Sequence, residues 1–112
     1  MPLQTRSAPA PVTTRRYPRA VFSVPLTLQR LSVDRMKKTH GISLDLAEGG
    51  LGALLDERLA VGEMVAIDLP LAGRVLNPIA IVRYASGMSA GFEFLGLTAD
   101  ERTDIVNAAG LN

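Results

Sequence analysis

The sequence predicts an all-β domain, a small sandwich or barrel, followed by one short C-terminal helix. Three observations carry that expectation. Several segments of strand length alternate apolar and polar residues with period two. Gly, Pro, Asn and Asp signals separate these segments at short intervals, as in sandwiches and barrels. A helix-start signature, Thr98-Ala-Asp-Glu101, stands near the end of the chain with an apolar stripe behind it. At 112 residues and 47% hydrophobic content the chain is long enough for one domain with its own core.

Each element can be justified in order. Met1 to Thr14 is short of large apolar residues and contains the Ser7-Ala-Pro-Ala-Pro11 stretch, so by itself it cannot bury enough surface to offset its ordering entropy. We expect a flexible arm over residues 1–14 and the folded domain over 15–112. From Ala20 to Leu31, Val24, Leu26, Leu28 and Arg30 share one face of a strand, and Pro25 requires an edge or a bulge. Ser32 to Thr39 is a polar, basic connection. Gly41 to Ala47 alternates again, with Ile42, Leu44 and Leu46 expected on one side and Ser43, Asp45 and Ala47 on the other. The Glu48-Gly49-Gly50 turn leads into the apolar stretch Leu51 to Leu55. In Met64 to Leu69, Val65, Ile67 and Leu69 share a face. Val75 to Tyr84 is the longest apolar run, interrupted near its start by Pro78. Ser86-Gly87 turns the chain into Ser89 to Leu95, where Ala90, Phe92 and Phe94 share a face. In the final helix Ile105, Val106 and Ala109 form the stripe, and Gly110 suits the left-handed residue after its end.

Composition excludes several function classes. With no cysteine there is neither a disulfide nor a thiolate metal site, which fits a cytoplasmic protein. No apolar run reaches the roughly 20 residues of a membrane helix, so membrane insertion is not expected. The front segment lacks the apolar run of a secretory signal. His40, the single histidine, has no catalytic partner near it in sequence, and the serines lack a nucleophile-elbow motif. Asp45, Glu48, Asp56 and Glu57 do not follow the alternation of a calcium loop. Neither an enzyme nor a cofactor is indicated.

The net charge of +1 conceals an uneven distribution. Residues 1–40 carry eight Lys and Arg against Asp34 alone, whereas residues 41–112 carry four arginines against ten acids. A cationic front segment suggests an anionic target. Two short motifs sharpen that. The first is Arg15-Arg16-Tyr17-Pro18-Arg19, an R-x-x-x-R just before the first strand. The second is Asp45-Leu-Ala47-Glu-Gly49-Gly50, a strand running into a glycine pair. Read singly, the first is a solvated basic cluster and the second a tight turn needing positive φ.

Together these motifs resemble the ligand signature of the PilZ domain, R-x-x-x-R followed by D/N-x-S-x-x-G. Arg15 and Arg19 match the first part, and Asp45 and Gly50 match the ends of the second. Ile79-Ala-Ile-Val-Arg-Tyr84, Gly91-Phe-Glu-Phe-Leu-Gly96 and the helix start at Ala99-Asp-Glu-Arg102 resemble the later part of the family, so the likeness runs from Arg15 to Ala109. It implies a six-stranded antiparallel split β-barrel with a C-terminal helix that binds cyclic di-GMP and signals to a downstream protein. The implied ligand residues are Arg15, Arg16, Arg19, Asp45, Ala47, Gly49 and Gly50. The signature serine is Ala47 here; in the family its hydroxyl helps hold guanine, and its loss costs about 0.5–1.5 kcal/mol. Two other readings compete: a PilZ-like protein-interaction barrel without the ligand, favoured by Ala47, and a barrel binding nucleic acid through its basic front. The latter is disfavoured because a polymer binder needs stacking platforms, while Phe92 and Phe94 read as core.

Overall fold

The computed structural model describes residues 20–32, 37–71 and 73–110. The expected arm over residues 1–14 lies outside them, as do Arg15, Arg16 and Arg19. The strands are β1 (Ala20–Val21), β2 (Pro25–Arg30), β3 (Thr39–Ala47), β4 (Gly50–Leu55), β5 (Met64–Leu71), β6 (Arg74–Leu76), β7 (Ile79–Ser86) and β8 (Ser89–Leu95), followed by helix α1 (Ala99–Ala108). All pairings are antiparallel. The sheet runs β1-β3-β2-β5-β7-β8-β4, and β4 pairs back onto β3. That last pairing closes β3, β2, β5, β7, β8 and β4 into a six-stranded barrel, with β1 an extra strand on β3 and β6 one on β5.

The barrel interior is the alternating set. Val65, Ile67 and Leu69 are fully buried, as their period-two spacing requires, and Ala90, Phe92 and Phe94 face them from β8. β4 is buried at every position but Leu54, because it lies between β3 and β8 and carries glycine at Gly50 and Gly52. The long apolar run breaks at Asn77-Pro78 into β6 and β7, both on β5. Proline cannot donate to a ladder, and the interruption falls there.

Two expectations about faces are corrected. Ile42, Leu44 and Leu46 do not share the core face: Leu46 is buried, but Ile42 and Leu44 are about half exposed, and fully buried Ser43 occupies the interior between them. The cause is a β-bulge between Ser43 and Asp45 on β3, where Ser43 pairs with Ala53 and Asp45 with Gly52. One extra residue inverts the alternation. Ala20 to Leu31 is also not one strand. β1 and β2 lie on the same edge of β3, separated at Phe22–Val24. Ser43 fills the break: its hydroxyl donates to the Phe22 carbonyl (2.5 Å) and accepts from the Val24 N–H (2.9 Å).

Helix α1 begins with the expected capping box. Glu101 N–H donates to Thr98 Oγ1, and Glu101 Oε1 accepts from Thr98 N–H. Ile105 is fully buried in the core, and Gly110 has φ +70° just past the helix end. The helix packs on β3 and β5. Ion pairs fasten it at two points, Arg102 to Glu48 in the β3–β4 turn (3.3 Å) and Arg74 on β6 to Asp104.

Candidate functional site

The outer surface at the bulge is built by register. Val21 of β1 lies opposite Asp45 of β3, Asp45 opposite Gly52 of β4, Gly52 opposite Gly91 of β8, and Gly91 opposite Tyr84 of β7. The row therefore places Asp45 and Tyr84 on either side of two glycines. A second bulge, between Val82 and Tyr84, takes part in this arrangement. Without the two bulges, period-two alternation would carry Asp45 inward after Ser43 and Tyr84 inward after Val82. Each extra residue turns the next side chain out. Tyr84 is 51% exposed.

Both glycines of this row are buried, and their missing side chains leave room for their neighbours. A Cβ at Gly91 would lie 2.0 Å from Cε2 of Tyr84, so the phenol ring lies across the position that any other residue would occupy. At Gly52 the nearest atom to such a Cβ is Asp45 Oδ1, at 3.1 Å. Asp45 Oδ1 accepts from the Gly52 N–H at 2.9 Å, which satisfies a ladder donor at the bulge. The carboxylate is thereby held toward β4, over Gly52.

The other residues expected from the sequence are placed less uniformly. Ala47 pairs with Gly50 at the end of β3 and is 3% exposed, so its methyl is buried. Gly49 lies in the β3–β4 turn and its carbonyl accepts from Phe94 N–H at 2.9 Å. The glycine pair does not serve a positive-φ turn, since neither Gly49 nor Gly50 is among the residues with positive φ. Gly50 is instead demanded by strand packing: a Cβ there would stand 2.0 Å from the Phe92 carbonyl oxygen. Asp45, Ala47, Gly49 and Gly50 are thus brought to one end of the β3–β4 hairpin. The chain enters β1 beside them, Ala20 opposite Leu46. Tyr84 and Gly91 were not expected from the sequence. The sequence marks them only as the ends of two strand segments; cross-strand register alone places the tyrosine over a glycine on the aspartate's row.

Charge on the described barrel is largely self-compensated. Arg30 holds Glu63 and lies 3.6 Å from Glu57, Lys37 pairs with Glu57 (2.8 Å), and Lys38 with Asp68 (2.9 Å). Arg83 pairs with Glu93 (2.5 Å), and Arg74 and Arg102 hold the helix. Among the described Lys and Arg residues, Arg58 is the one outside these pairs. The hydrogen bond from Lys38 lowers the Asp68 carboxyl below its usual range; partial burial opposes this, and Asn77 reinforces it. Glu57 is lowered by its hydrogen bonds from Lys37 and Thr39. Burial raises Glu63, but the bonds from Arg30 and the Ala60 N–H outweigh it and leave the group lowered. Among the described residues no three His, Cys, Asp or Glu side chains gather as a metal ion would need. Among the described residues no helix is long and apolar enough to cross a membrane.

Comparison with known proteins agrees with this architecture. The barrel superposes on the PilZ domain of CeSA from a cellulose-synthesizing bacterium with a TM-score of 0.66 and 17% identity, over 82% of this chain and 94% of that one. It matches the PilZ domain of YcgR from Escherichia coli, solved with c-di-GMP, with a TM-score of 0.67 and 21% identity over 86% and 88% of the two chains. It also matches the Bacillus subtilis inhibitor of motility MotI/DgrA with a TM-score of 0.67 and 18% identity, over 85% of this chain but only 48% of that protein. No curated protein matches by sequence. At these identities the solved structures establish the fold. The family model for the PilZ domain matches residues 13–109, nearly the whole chain, and the chain therefore belongs to the PilZ family.

Proposed function

We propose that this chain is a cytoplasmic cyclic di-GMP receptor module whose arginine-bearing front segment closes on the ligand over the Asp45–Tyr84 row. The observation that carries the reading is that row itself. A carboxylate and a flat aromatic ring lie on one cross-strand row of the outer surface, each over a glycine, where β1 receives the chain directly after Arg19. Guanine N1–H and N2–H₂ are donors, and a carboxylate can accept from them. Tyr84 offers a face for a purine to stack on. Gly52 and Gly91 let the carboxylate and the ring lie close to the sheet, where a planar ligand can meet both.

The ligand's phosphates need cations, and the barrel's own are mostly paired with its own carboxylates. Arg15, Arg16 and Arg19 supply them. A guanidinium fork matches phosphate oxygens and the O6/N7 edge of guanine bidentately. Ordering five front residues costs about 1–2 kcal/mol each, against about 1.5–3 kcal/mol returned by each charge-assisted hydrogen bond. One arginine cannot offset that ordering; two, with Asp45 and Tyr84, can approach the roughly 8 kcal/mol of micromolar binding. Closing of the segment is then the signal read by a downstream protein.

Calorimetric titration with cyclic di-GMP tests this. Binding is expected to vanish in Arg15→Ala and in Arg19→Ala and to persist in Arg6→Ala; unaltered affinity in the Arg19 variant would overturn the mechanism. Tyr84→Ala, at an exposed position, should weaken binding about tenfold or more if a base stacks there. A second reading is favoured by buried Ala47, which lacks the signature hydroxyl: a protein-interaction barrel with no ligand. Absence of heat in the unsubstituted protein would select it.

A further inference from the structure

The outer face carries an apolar band two rungs from the Asp45–Tyr84 row. Ile42 on β3 and Leu54 on β4 are direct cross-strand partners, 49% and 50% exposed. Leu44, in the bulge, is 46% exposed. Met88, 43% exposed, lies in the β7–β8 turn whose carbonyl accepts from Leu55 N–H at 2.8 Å. Single exposed apolar residues are ordinary, but a contiguous group on one sheet face marks a surface that something covers. Ile42 and Leu44 flank buried Ser43 on the outer side, and the bulge that follows returns Leu46 to the interior.

We infer that in the ligand-free protein this band is the docking surface of the chain's own residues 1–14, through Leu3, Val12 and the prolines between them. Three observations select that occupant. The first is reach. The front segment joins the barrel at Ala20, opposite Leu46, and returning along the face to Leu54 covers about 15 Å, which about five extended residues span. Nineteen precede Ala20. The second is charge. Residues 1–14 carry Arg6 and no acid, with Arg15, Arg16 and Arg19 following before Ala20, whereas residues 20–112 carry eight Lys and Arg against eleven acids. The band lies between Asp45, two rungs away on one side, and Asp56 beyond the other end of β4. The third is composition: the prolines Pro9 and Pro11 restrict the unbound chain and lower the ordering cost of an extended segment on a sheet face. Covered in this way, the band is withheld from other proteins. The inference stands independently of ligand binding.

The chain has no cysteine, so a single spin label can be placed cleanly. Ser86→Cys puts it at an exposed site on the rung of Ser89 and Leu54. In the full chain without ligand, amide resonances of residues 1–14 are expected to lose at least half their intensity relative to the reduced label, independently of protein concentration. Adding Ile42→Ser and Leu54→Ser, both at exposed positions, should restore most of it while the barrel spectrum persists. Absence of broadening, or broadening unaffected by the double substitution, overturns the proposal. Broadening that disappears on dilution overturns it in favour of a second copy on the band. Calorimetry with cyclic di-GMP is a separate readout, so failure of either claim is recognisable without the other.

Discussion

At the scale of single residues, Asp45 has two separable duties. Its Oδ1 satisfies the Gly52 N–H at the bulge, and its charge is the acceptor proposed for guanine. Asp45→Asn keeps a carbonyl oxygen for Gly52, so stability should fall by less than about 1 kcal/mol, while ligand heat should be strongly reduced. Asp45→Ala should cost about 1–3 kcal/mol in urea unfolding as well, because the ladder donor loses its partner. Ser43 has one duty only. Ser43→Ala strips partners from the Phe22 carbonyl and the Val24 N–H, and a loss of about 2–3 kcal/mol is expected. Its hydroxyl was not singled out in the sequence, because a serine between two apolar residues on a strand reads as solvent-facing until the bulge is known.

At the scale of elements, helix α1 combines a local signal with a tertiary one. The capping box was legible from Thr98 and Glu101 alone, and Thr98→Ala should cost about 1 kcal/mol. Ile105 fills the core, so Ile105→Ala should cost about 2–5 kcal/mol and lower the thermal midpoint far more than the cap substitution does. An equal effect of the two would mean that the helix does not depend on its core contact. In β4, the positions across from β8 tolerate no side chain at Gly50. Gly50→Ala forces backbone movement at Phe92 and should weaken the whole hairpin, with ligand binding lost through the fold.

At the scale of the whole molecule, the lowered carboxylates set the acid response. Asp68, Glu57 and Glu63 all titrate below their usual values in the folded chain. A depressed carboxylate contributes stability that is fully present above its unfolded value, roughly pH 4, and that is lost as pH falls through the lower folded value. The urea midpoint should therefore be flat from about pH 7 to 5 and decline below about pH 4. Asp68→Asn should flatten that decline. A midpoint rising toward acid pH would contradict these pairings. Exposed pairs such as Arg83–Glu93 contribute little to this, because solvent screens them.

What the sequence determined by itself was the position of the six barrel strands, the capped helix and the family. These rest on local information: period-two alternation in Val65, Ile67 and Leu69 and in Ala90, Phe92 and Phe94, the break at Pro78, and the residues Arg15, Arg19, Asp45 and Gly50. Barrel closure and the outward aim of Asp45 were decided by tertiary structure. So were the role of Gly50 as a packing residue, the ring of Tyr84 over Gly91, and the exposed band at Ile42 and Leu54. The physical reason is that each depends on which strand lies alongside, and the bulges show it most clearly. A bulge adds one residue to one strand and becomes visible only against the strand beside it, yet from there onward it exchanges inside for outside.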